Sequence, residues 1–243
     1  MPAAAMSEAE AAEVLSLTDV ASGYGAISVV NSVTLSIRPG EIVAVLGKNG
    51  MGKSTLLKTI LGLVPLRGGA IYVGGVDRAR LTPARMIAWG LSYIPQEQTL
   101  FQDLTIRDNL RLAVRSDSEL GPALERAFDY FPFLRERLKQ RAGTLSGGEQ
   151  KMLILARALM LRPRLLLVDE ISEGLQPSVV DRIGAVLGEE RTRDGTAMLI
   201  IEQNLDFALR IADRWAVLKM GEIDDEGPSG HEARDRVLAH LSL

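Results

Sequence analysis

The chain has 243 residues, of which 47% are hydrophobic and 24% are charged, and its formal net charge is −3. This length and composition are typical of a globular protein with one large or two-lobed domain. The slightly acidic balance argues against nucleic acid as a main partner, because phosphate binding needs clustered Lys and Arg. The sequence has no Cys, which excludes disulfides, thiolate metal sites and a Cys nucleophile.

Residues 1–13 are rich in Ala and Glu and contain neither a basic segment nor a long apolar one. We therefore expect a disordered extension here rather than a signal peptide. No apolar stretch in the sequence approaches the roughly 18 residues that a membrane-spanning helix needs. If the protein serves a membrane, we expect it to dock onto another protein there.

Short segments rich in apolar and β-branched residues predict strands in the first 100 residues. Turns rich in Gly and Pro separate these segments, and the first turn is predicted at 22–25. A Gly-rich loop precedes a helix predicted at 53–62. The predicted strands are 14–20, 29–37, 41–46, 70–73 and 91–94.

The pattern changes in the middle of the chain. From 105 to about 140, apolar residues recur three and four positions apart, which predicts helices, one of them at 123–137. Another helix is predicted at 145–161, where Ser146 is a good N-cap. This stretch indicates a helical lobe inserted between strands.

The rest of the chain again alternates between strands and helices. Strands are predicted at 165–168 and 197–201, with a helix at 177–193 between them. Alternation of this kind predicts an α/β fold with a mostly parallel sheet that is covered on both faces.

The strongest local signal is the segment 47–55, Gly-Lys-Asn-Gly-Met-Gly-Lys-Ser-Thr, which matches the phosphate-loop pattern G-x-x-x-x-G-K-[ST] between a predicted strand and a helix. Its glycines let backbone N–H groups approach phosphate oxygens, and the helix adds its positive dipole end. We expect Lys53 to contact the β- and γ-phosphates of ATP or GTP and Ser54 to place a hydroxyl on Mg²⁺. The residues expected to bind the nucleotide here are Gly47, Lys48, Asn49, Gly50, Met51, Gly52, Lys53, Ser54 and Thr55.

Two carboxylates, Asp169 and Glu170, follow the apolar strand predicted at 165–168. On their own they would be ordinary solvated acids at a strand end. Beside a phosphate loop, such an Asp orders the magnesium shell, and a Glu next to it can orient and polarise the attacking water. We therefore expect Asp169 to be a metal ligand and Glu170 to be catalytic.

The segment 145–150, Leu-Ser-Gly-Gly-Glu-Gln, opens the helix predicted after the lobe. Its hydroxyl and amides make the helix N-terminus a second anion site. With this segment between the phosphate loop and Asp169, the chain resembles the ABC ATPases from about 14 to 222. The resemblance implies that Ser146, Gly147 and Gly148 close on the γ-phosphate held by a second ABC ATPase subunit, identical or different, so that two chains share two ATP sites.

The resemblance also implies an architecture and further site residues. It implies a P-loop NTPase core within 14–243, with an N-terminal antiparallel β subdomain and an inserted helical subdomain at about 97–161. Tyr24 corresponds to the aromatic that stacks on adenine, and Gln96 to a glutamine that ligates Mg²⁺ and responds to the membrane partner. The segment 174–177 corresponds to a loop that crosses the dimer interface.

Three positions depart from the family pattern. Ile171 stands where Pro is usual, Glu149 stands where Gln is frequent, and Gln203 occupies a switch position usually held by His. A Gln amide can hydrogen-bond a phosphate but carries no charge, so we expect no proton shuttle at this position. Our hypothesis is that Glu170 activates water while Gln203 senses the γ-phosphate, with Lys53 completing the catalytic set.

Several segments narrow the resemblance further. Those at 101–110, 142–152 and 201–204 resemble the importer branch for branched-chain amino acids, and 173–178 is somewhat closer to urea-type members of that branch. The resemblance implies a cytoplasmic ATPase held on the inner face of the cell membrane by integral-membrane permease subunits, with a solute-binding protein as an indirect partner. The alternatives are a urea or short-amide importer, an envelope-lipid exporter, a soluble ABC ATPase and a non-hydrolysing nucleotide sensor.

Overall fold

The computed structural model describes residues 13–97 and 99–241. The extension predicted at 1–13 therefore lies outside the described residues, apart from Glu13. Within them, no helix combines the length and the apolar character that crossing a bilayer requires.

An antiparallel sheet of four strands, in the order β2-β1-β4-β5, forms the N-terminal part of the fold. Its first strand continues to Tyr24 and the turn to β2 lies at 25–26, so the turn predicted at 22–25 is correct in kind but begins too early. Bulges between Leu17 and Gly23 interrupt the regular pairing of β1 with β2. A Cβ at Gly23 would lie 2.1 Å from the Ile27 carbonyl oxygen, which explains a glycine inside a strand. The strands are β1 (Leu15–Tyr24), β2 (Ile27–Ile37), β4 (Leu66–Val73) and β5 (Val76–Asp77).

The second sheet has six strands in the order β10-β9-β3-β8-β7-β6, and all neighbouring pairs are parallel except β10 with β9. The mostly parallel sheet predicted from the sequence is therefore confirmed. The last two strands lie beyond the segments that the sequence analysis assigned. The strands are β3 (Ile42–Leu46), β6 (Leu91–Ile94), β7 (Leu165–Asp169), β8 (Ala197–Glu202), β9 (Arg214–Lys219) and β10 (Glu222–Pro228).

Helices surround the parallel sheet, and four of them, α3 to α6, lie between β6 and β7 in the chain. The single helix predicted at 123–137 is in fact two, because Pro132 has no N–H to continue the ladder. The helices among the described residues are α1 (Lys53–Leu61), α2 (Pro83–Trp89), α3 (Ile106–Arg111), α4 (Asp117–Tyr130), α5 (Phe133–Glu136), α6 (Gly147–Leu159), α7 (Pro177–Asp194), α8 (Leu205–Ile211) and α9 (Ala233–Leu241).

Two hydrophobic clusters lie on the two faces of the parallel sheet. All five residues of β3 are buried: Ile42, Ala44 and Leu46 join the cluster of α3 to α9, and Val43 and Val45 join that of α1 and the antiparallel sheet. A strand that packs on both faces has a continuous run of apolar residues, and this pattern is the one from which the strand at 41–46 was predicted. The core thus fixes the ends of the central strands, where the loops that bear polar side chains begin.

A buried polar network joins the inserted helices to the core. Arg126 of α4 forms ion pairs with Glu190 and Asp194 of α7, and Tyr130 donates its hydroxyl hydrogen to Glu190. Glu190 is fully buried and also accepts from the Thr196 hydroxyl at 2.8 Å. The network satisfies a carboxylate that would otherwise be costly to bury.

Candidate functional site

The candidate site lies at the carboxyl ends of three neighbouring strands. The phosphate loop follows β3, Asp169 and Glu170 lie at the end of β7, and Gln203 follows β8. Because β3, β8 and β7 are adjacent and parallel, all three loops leave the sheet at the same edge. This is where α/β sheets usually bind ligands.

A pocket of about 390 Å³ opens at this edge. Of the residues that line it, only Val29 was not predicted from the sequence to belong to the site. The pocket therefore brings the phosphate loop together with the predicted metal ligand Gln96 and the predicted catalytic residue Glu170. Its lining residues are Val29, Asn49, Gly50, Gly52, Lys53, Ser54, Thr55, Gln96 and Glu170.

The glycines of the phosphate loop are required by close approach and by backbone conformation. A Cβ at Gly47 would lie 2.5 Å from the Leu218 carbonyl oxygen, so the loop rests directly on the neighbouring strand β9. Gly52 caps α1 with a φ of 100°, in the left-handed region, and a Cβ there would lie 2.9 Å from the Val29 carbonyl oxygen. The free N–H groups at the start of α1 therefore border the pocket.

Lys53 is the first residue of α1, and its side chain folds back across the loop. The ammonium donates to the carbonyl oxygens of Gly47 at 2.8 Å and Lys48 at 3.1 Å. It also forms an ion pair with Glu170 at 3.2 Å, and the two side chains are only 3% and 4% exposed. These three oxygen atoms occupy all three donors of the ammonium, so a phosphate oxygen could bind Lys53 by replacing the Glu170 carboxylate.

Glu170 is held by the predicted switch residue as well as by Lys53. Its Oε2 accepts hydrogen bonds from Gln96 Nε2 at 3.0 Å and from Gln203 Nε2 at 2.8 Å. Gln203 Nε2 also donates to Asn49 Oδ1 at 2.7 Å, which links the switch loop to the phosphate loop. The predicted catalytic residues Lys53, Glu170 and Gln203 therefore form one contiguous cluster, although Gln203 does not line the pocket itself.

The residues predicted to hold Mg²⁺ supply oxygen ligands, which this ion prefers. Ser54 Oγ donates to Asp169 Oδ1 at 3.0 Å. Burial raises the pKa of Asp169, and the hydrogen bond from Ser54 partly opposes this shift. Burial, followed by the charge of Asp169, raises the pKa of Tyr93. A buried carboxylate whose charged form is disfavoured fits a position that a cation would occupy.

Gln96, the third predicted metal ligand, contacts carboxylates through its amide nitrogen. Its Nε2 donates to Glu170 and, at 2.9 Å, to Glu173. No cluster of three or more His, Cys, Asp and Glu residues suited to a metal occurs in the described part of the chain. Ser54 and Asp169 offer oxygen atoms that suit Mg²⁺, whereas Gln96 would have to present its amide oxygen, so an ion held here would also need ligands from phosphate.

The second predicted anion site does not line this pocket. Ser146 caps α6 in a capping box: its hydroxyl accepts from Glu149 N at 3.3 Å, and Glu149 Oε2 accepts from Ser146 N at 2.9 Å. Ser146 and Gly147 are exposed, and a Cβ at Gly147 would meet no atom within 4 Å. Tyr24 also lies outside the pocket, at the end of β1, and is 49% exposed. Within one chain, the helix start at Ser146 and Gly147 is therefore not part of the pocket that the phosphate loop borders.

Three residues of the site were missed by the sequence analysis. Glu173 accepts from Gln96, and the buried Lys151 of α6 donates to the Gln96 carbonyl oxygen at 2.8 Å. Glu202 ends the apolar strand β8 and is 1% exposed. Like Asp169, it is a carboxylate at the end of an apolar run, and that signal could have identified it.

Sequence comparisons identify the family. The profile of the family described as ABC transporter matches residues 30–173. The chain is 37% identical over 211 residues to the high-affinity branched-chain amino acid transport ATP-binding protein BraG of Pseudomonas aeruginosa, with 86% of this chain and 90% of the relative covered. It is 35% identical over 207 residues to the probable branched-chain amino acid transport ATP-binding protein LivF of Archaeoglobus fulgidus, with 84% and 88% covered. It is 33% identical over 234 residues to the lipopolysaccharide export system ATP-binding protein LptB of Escherichia coli, with 94% and 96% covered.

Solved structures agree with these relatives. A nucleotide-free ATP-binding cassette from an ABC transporter superposes with a TM-score of 0.84 at 26% identity, over 93% of this chain and 95% of that one. A dimeric post-hydrolysis state of an ATP-binding cassette bound to ADP and Pi gives a TM-score of 0.78 at 25% identity, over 89% and 99%. The fold predicted from the sequence is thereby confirmed. The chain therefore belongs to the ABC transporter family, in which it is an ATP-binding subunit that hydrolyses ATP.

Proposed function

We propose that this chain energises an importer of branched-chain or other hydrophobic amino acids, as one of two ATPase subunits docked on membrane permease subunits. The observation that carries the dimeric mechanism is the position of the capped helix start at Ser146, which is exposed and outside the pocket of its own chain. A second subunit would bring that helix start onto the phosphates bound by Lys53. The dimeric state of a solved cassette bound to ADP and Pi supports a mechanism with two subunits.

In the proposed cycle, the phosphate loop binds the phosphates of ATP through its backbone N–H groups and Lys53. Tyr24 stacks on adenine. Ser146, Gly147 and Gly148 of the opposing subunit complete the site, and binding of two ATP molecules closes the dimer. Hydrolysis and release of phosphate reopen it.

Glu170 and Gln203 act at the γ-phosphate. The Glu170 carboxylate orients the attacking water and accepts its proton as the bond to phosphorus forms. Gln203 lies between Asn49 and Glu170, so its amide is placed to register whether a γ-phosphate is present. Ser54, Asp169 and the Gln96 side chain would hold Mg²⁺, which neutralises charge on the β- and γ-phosphates when it is bound.

An apolar groove supports docking onto a permease. It has a volume of about 470 Å³ and lies between α2 and the inserted helices. Tyr93, which is one residue before the end of β6, forms part of its lining, and the chain leads from that strand end to Gln96. Three of its large apolar side chains are mostly exposed: Leu63 is 65%, Ile87 59% and Leu112 56% exposed. An exposed apolar surface of this kind suits a helical segment of an integral-membrane partner. A chain docked in this way lies at the cytoplasmic face of the cell membrane.

The proposed solute rests on similarity to BraG and LivF, together with the branch segments of the sequence. LptB, which matches a larger share of the chain at lower identity, favours an envelope-lipid exporter as the second candidate. The segment at 173–178 keeps a urea or short-amide importer as an alternative solute assignment.

Uptake in the source cells tests this proposal. Cells that lack the gene should lose uptake of radiolabelled leucine, and the wild-type gene should restore it while Glu170→Gln should not. Loss of urea uptake with normal leucine uptake would favour the alternative solute, and a lipopolysaccharide defect with normal uptake of both would favour the exporter.

A matched pair of surface variants tests docking. Ile87→Asp places a charge in the groove and should abolish uptake while the purified chain still hydrolyses ATP. Val76 is 41% exposed on β5 and lies outside the groove, so Val76→Asp should preserve both activities. Normal uptake by Ile87→Asp would contradict the role of the groove.

A further inference from the structure

One buried carboxylate joins the two loops that carry the proposed catalytic residues. Glu202 lies at the end of β8, directly before Gln203. Its Oε1 accepts from the Ser172 backbone N–H at 3.0 Å, and its Oε2 accepts from the Ser172 hydroxyl at 2.8 Å. Oε2 also accepts from the backbone N–H of Gln203 at 3.2 Å. We call the contact between Glu202 and Ser172 the clasp.

The clasp and the backbone N–H groups of Gln203 and Asn204 together compensate the buried charge of Glu202. Glu202 is 1% exposed, and no ion pair to it occurs among residues 13–97 and 99–241. Burial raises its pKa, and the hydrogen bonds from Ser172 oppose that shift. Because a buried carboxylate needs its donors, Glu202 and the two loops hold one another in place.

The turn that carries Glu170 has an unusual backbone. Glu170 has a φ of 48°, in the left-handed region, and its N–H donates to the Ile201 carbonyl oxygen at 2.9 Å. This bond anchors the turn before Ile171, and the clasp anchors it at Ser172. Ile171 occupies the position where the family usually has Pro, whose ring would restrict the backbone. Here the clasp supplies the restraint from outside the turn.

The anchored turn faces the switch residue. The side chains of Glu170 and Gln203 are in direct hydrogen-bond contact. The clasp adds a second link between the same two loops, because Ser172 is two residues after Glu170 and Glu202 is directly before Gln203. A shift of either loop would therefore change the position of Glu170 relative to the γ-phosphate. Displacements on the order of 1 Å at a reacting group can cost about 10²-fold in rate.

We propose that Glu202 and Ser172 are positioning residues for ATP hydrolysis, which fix the turn that carries Glu170 against the loop that carries Gln203. This inference rests on the proposed role of Glu170 as the residue that activates water. Neither residue of the clasp lines the nucleotide pocket, so the effect is on the chemical step and not on nucleotide binding.

Steady-state hydrolysis by the purified full chain tests the clasp. Glu202→Gln should lower kcat by about tenfold or more while the Kd for ADP stays within about twofold. Ser172→Ala keeps the backbone bond and should lower kcat less, and Ser172→Thr keeps the hydroxyl and should restore it. The double variant should be no slower than Glu202→Gln, because both changes open the same contact.

A variant that breaks a buried hydrogen bond elsewhere in the fold serves as the control for a loss of stability. Tyr130→Phe removes the hydroxyl that donates to Glu190, on α4 and away from the pocket. This variant should lower the unfolding temperature without changing kcat. The contrary result would be that kcat falls in both Tyr130→Phe and Glu202→Gln, in each case in proportion to the loss of stability. The clasp would then be structural only, and the positioning role would be wrong.

The remaining outcomes separate this inference from the proposed function. An inactive Glu170→Gln with wild-type kcat in Glu202→Gln and Ser172→Ala would overturn the clasp alone. Wild-type hydrolysis by Glu170→Gln would overturn the role of Glu170 and, with it, the inference.

Discussion

Lys53 Nζ lies 3.2 Å from Glu170 Oε1, and both side chains are almost completely buried. This contact joins the residue expected to bind the phosphates of ATP to the residue expected to activate water. A phosphate that binds Lys53 therefore competes with the Glu170 carboxylate for the same ammonium. Phosphate binding would release Glu170 for its role in hydrolysis, which couples the two functions through one cation.

Neutralising Glu170 should therefore separate binding from hydrolysis. Glu170→Gln removes the competing charge, so ATP should bind about tenfold more tightly, a gain of about 1.4 kcal/mol. Hydrolysis should fall by about 10²- to 10⁴-fold, because the general base is lost. Equilibrium binding of a fluorescent ATP analogue and release of phosphate measure the two effects.

Glu173→Gln is the matched control for this experiment. Glu173 accepts from the same Gln96 amide but forms no ion pair with Lys53. Its neutralisation should change ATP affinity much less than that of Glu170. Equal gains in affinity for the two variants would mean that general repulsion of ATP, and not the contact with Lys53, sets the effect.

Gln203 should govern hydrolysis with little influence on binding. It contacts Glu170 at 2.8 Å and Asn49 at 2.7 Å, so Gln203→Ala should lower kcat by about 10²-fold, while ATP affinity should change little. Wild-type hydrolysis by this variant would contradict the sensing role.

The pH profile distinguishes Gln203 from the His found in most of the family. Gln does not titrate, so wild-type kcat should show no ionisation from this position between pH 5 and 8. Gln203→His should introduce one near the ordinary His pKa of about 6.5. A wild-type profile that already shows this ionisation would assign it to another group.

The capping box at α6 should stabilise the fold in a pH-dependent way. Glu149 accepts from the Ser146 N–H, and this bond is the main reason that its pKa lies below the ordinary Glu value. A lowered pKa means that the ionised carboxylate stabilises the folded chain above the ordinary Glu pKa, and that this contribution is lost as pH falls through the folded value.

Glu149→Ala should therefore lower the free energy of unfolding by about 1 kcal/mol at neutral pH, and less as the pH is lowered. Glu149→Gln keeps an acceptor oxygen and loses only the charge and the exposed ion pair with Arg137, so its effect should be smaller. Urea unfolding at several pH values measures both. A cost for Glu149→Ala that does not vary with pH would show that packing, not the ionised cap, is responsible.

Much of the site could be predicted because it depends on local sequence. The phosphate loop needs a strand, glycines with special backbone geometry and a helix, and all are adjacent in the chain. Asp169 and Glu170 follow an apolar strand, which indicates a sheet edge. Gln96 was placed by the family resemblance and does line the pocket.

The missed features depend on the order of strands and on side-chain orientation. Gln203 meets Asn49 across 154 positions because β8 lies between β3 and β7, and alternation of strands and helices does not specify that order. The sequence also does not indicate that Gln96 turns its nitrogen toward Glu170. The clasp depends both on the order of the strands and on side-chain orientation, because Glu202 and Ser172 come from different loops. The boundaries assigned to the helical subdomain at 97–161 stay a prediction.

The shared-site mechanism makes a specific prediction for Gly147. This residue begins α6, has open space around its Cα and does not require a left-handed backbone, so Gly147→Ala should fold normally. Its methyl group would occupy the surface that must approach the phosphates of the opposing subunit. ATP binding by one chain should therefore be unchanged, while hydrolysis is lost.

Dimerisation provides the direct readout for Gly147. In a Glu170→Gln background, light scattering with ATP and Mg²⁺ should detect a dimer, and adding Gly147→Ala should abolish it. Gly121 of α4 also has open space for a Cβ, so Gly121→Ala in the same background should leave the dimer intact. If the Gly147 variant formed the dimer as readily as the Gly121 variant, the helix start at Ser146 would not contact the partner's nucleotide. The second anion site would then require another explanation, because Ser146 and Gly147 lie outside the pocket of their own chain.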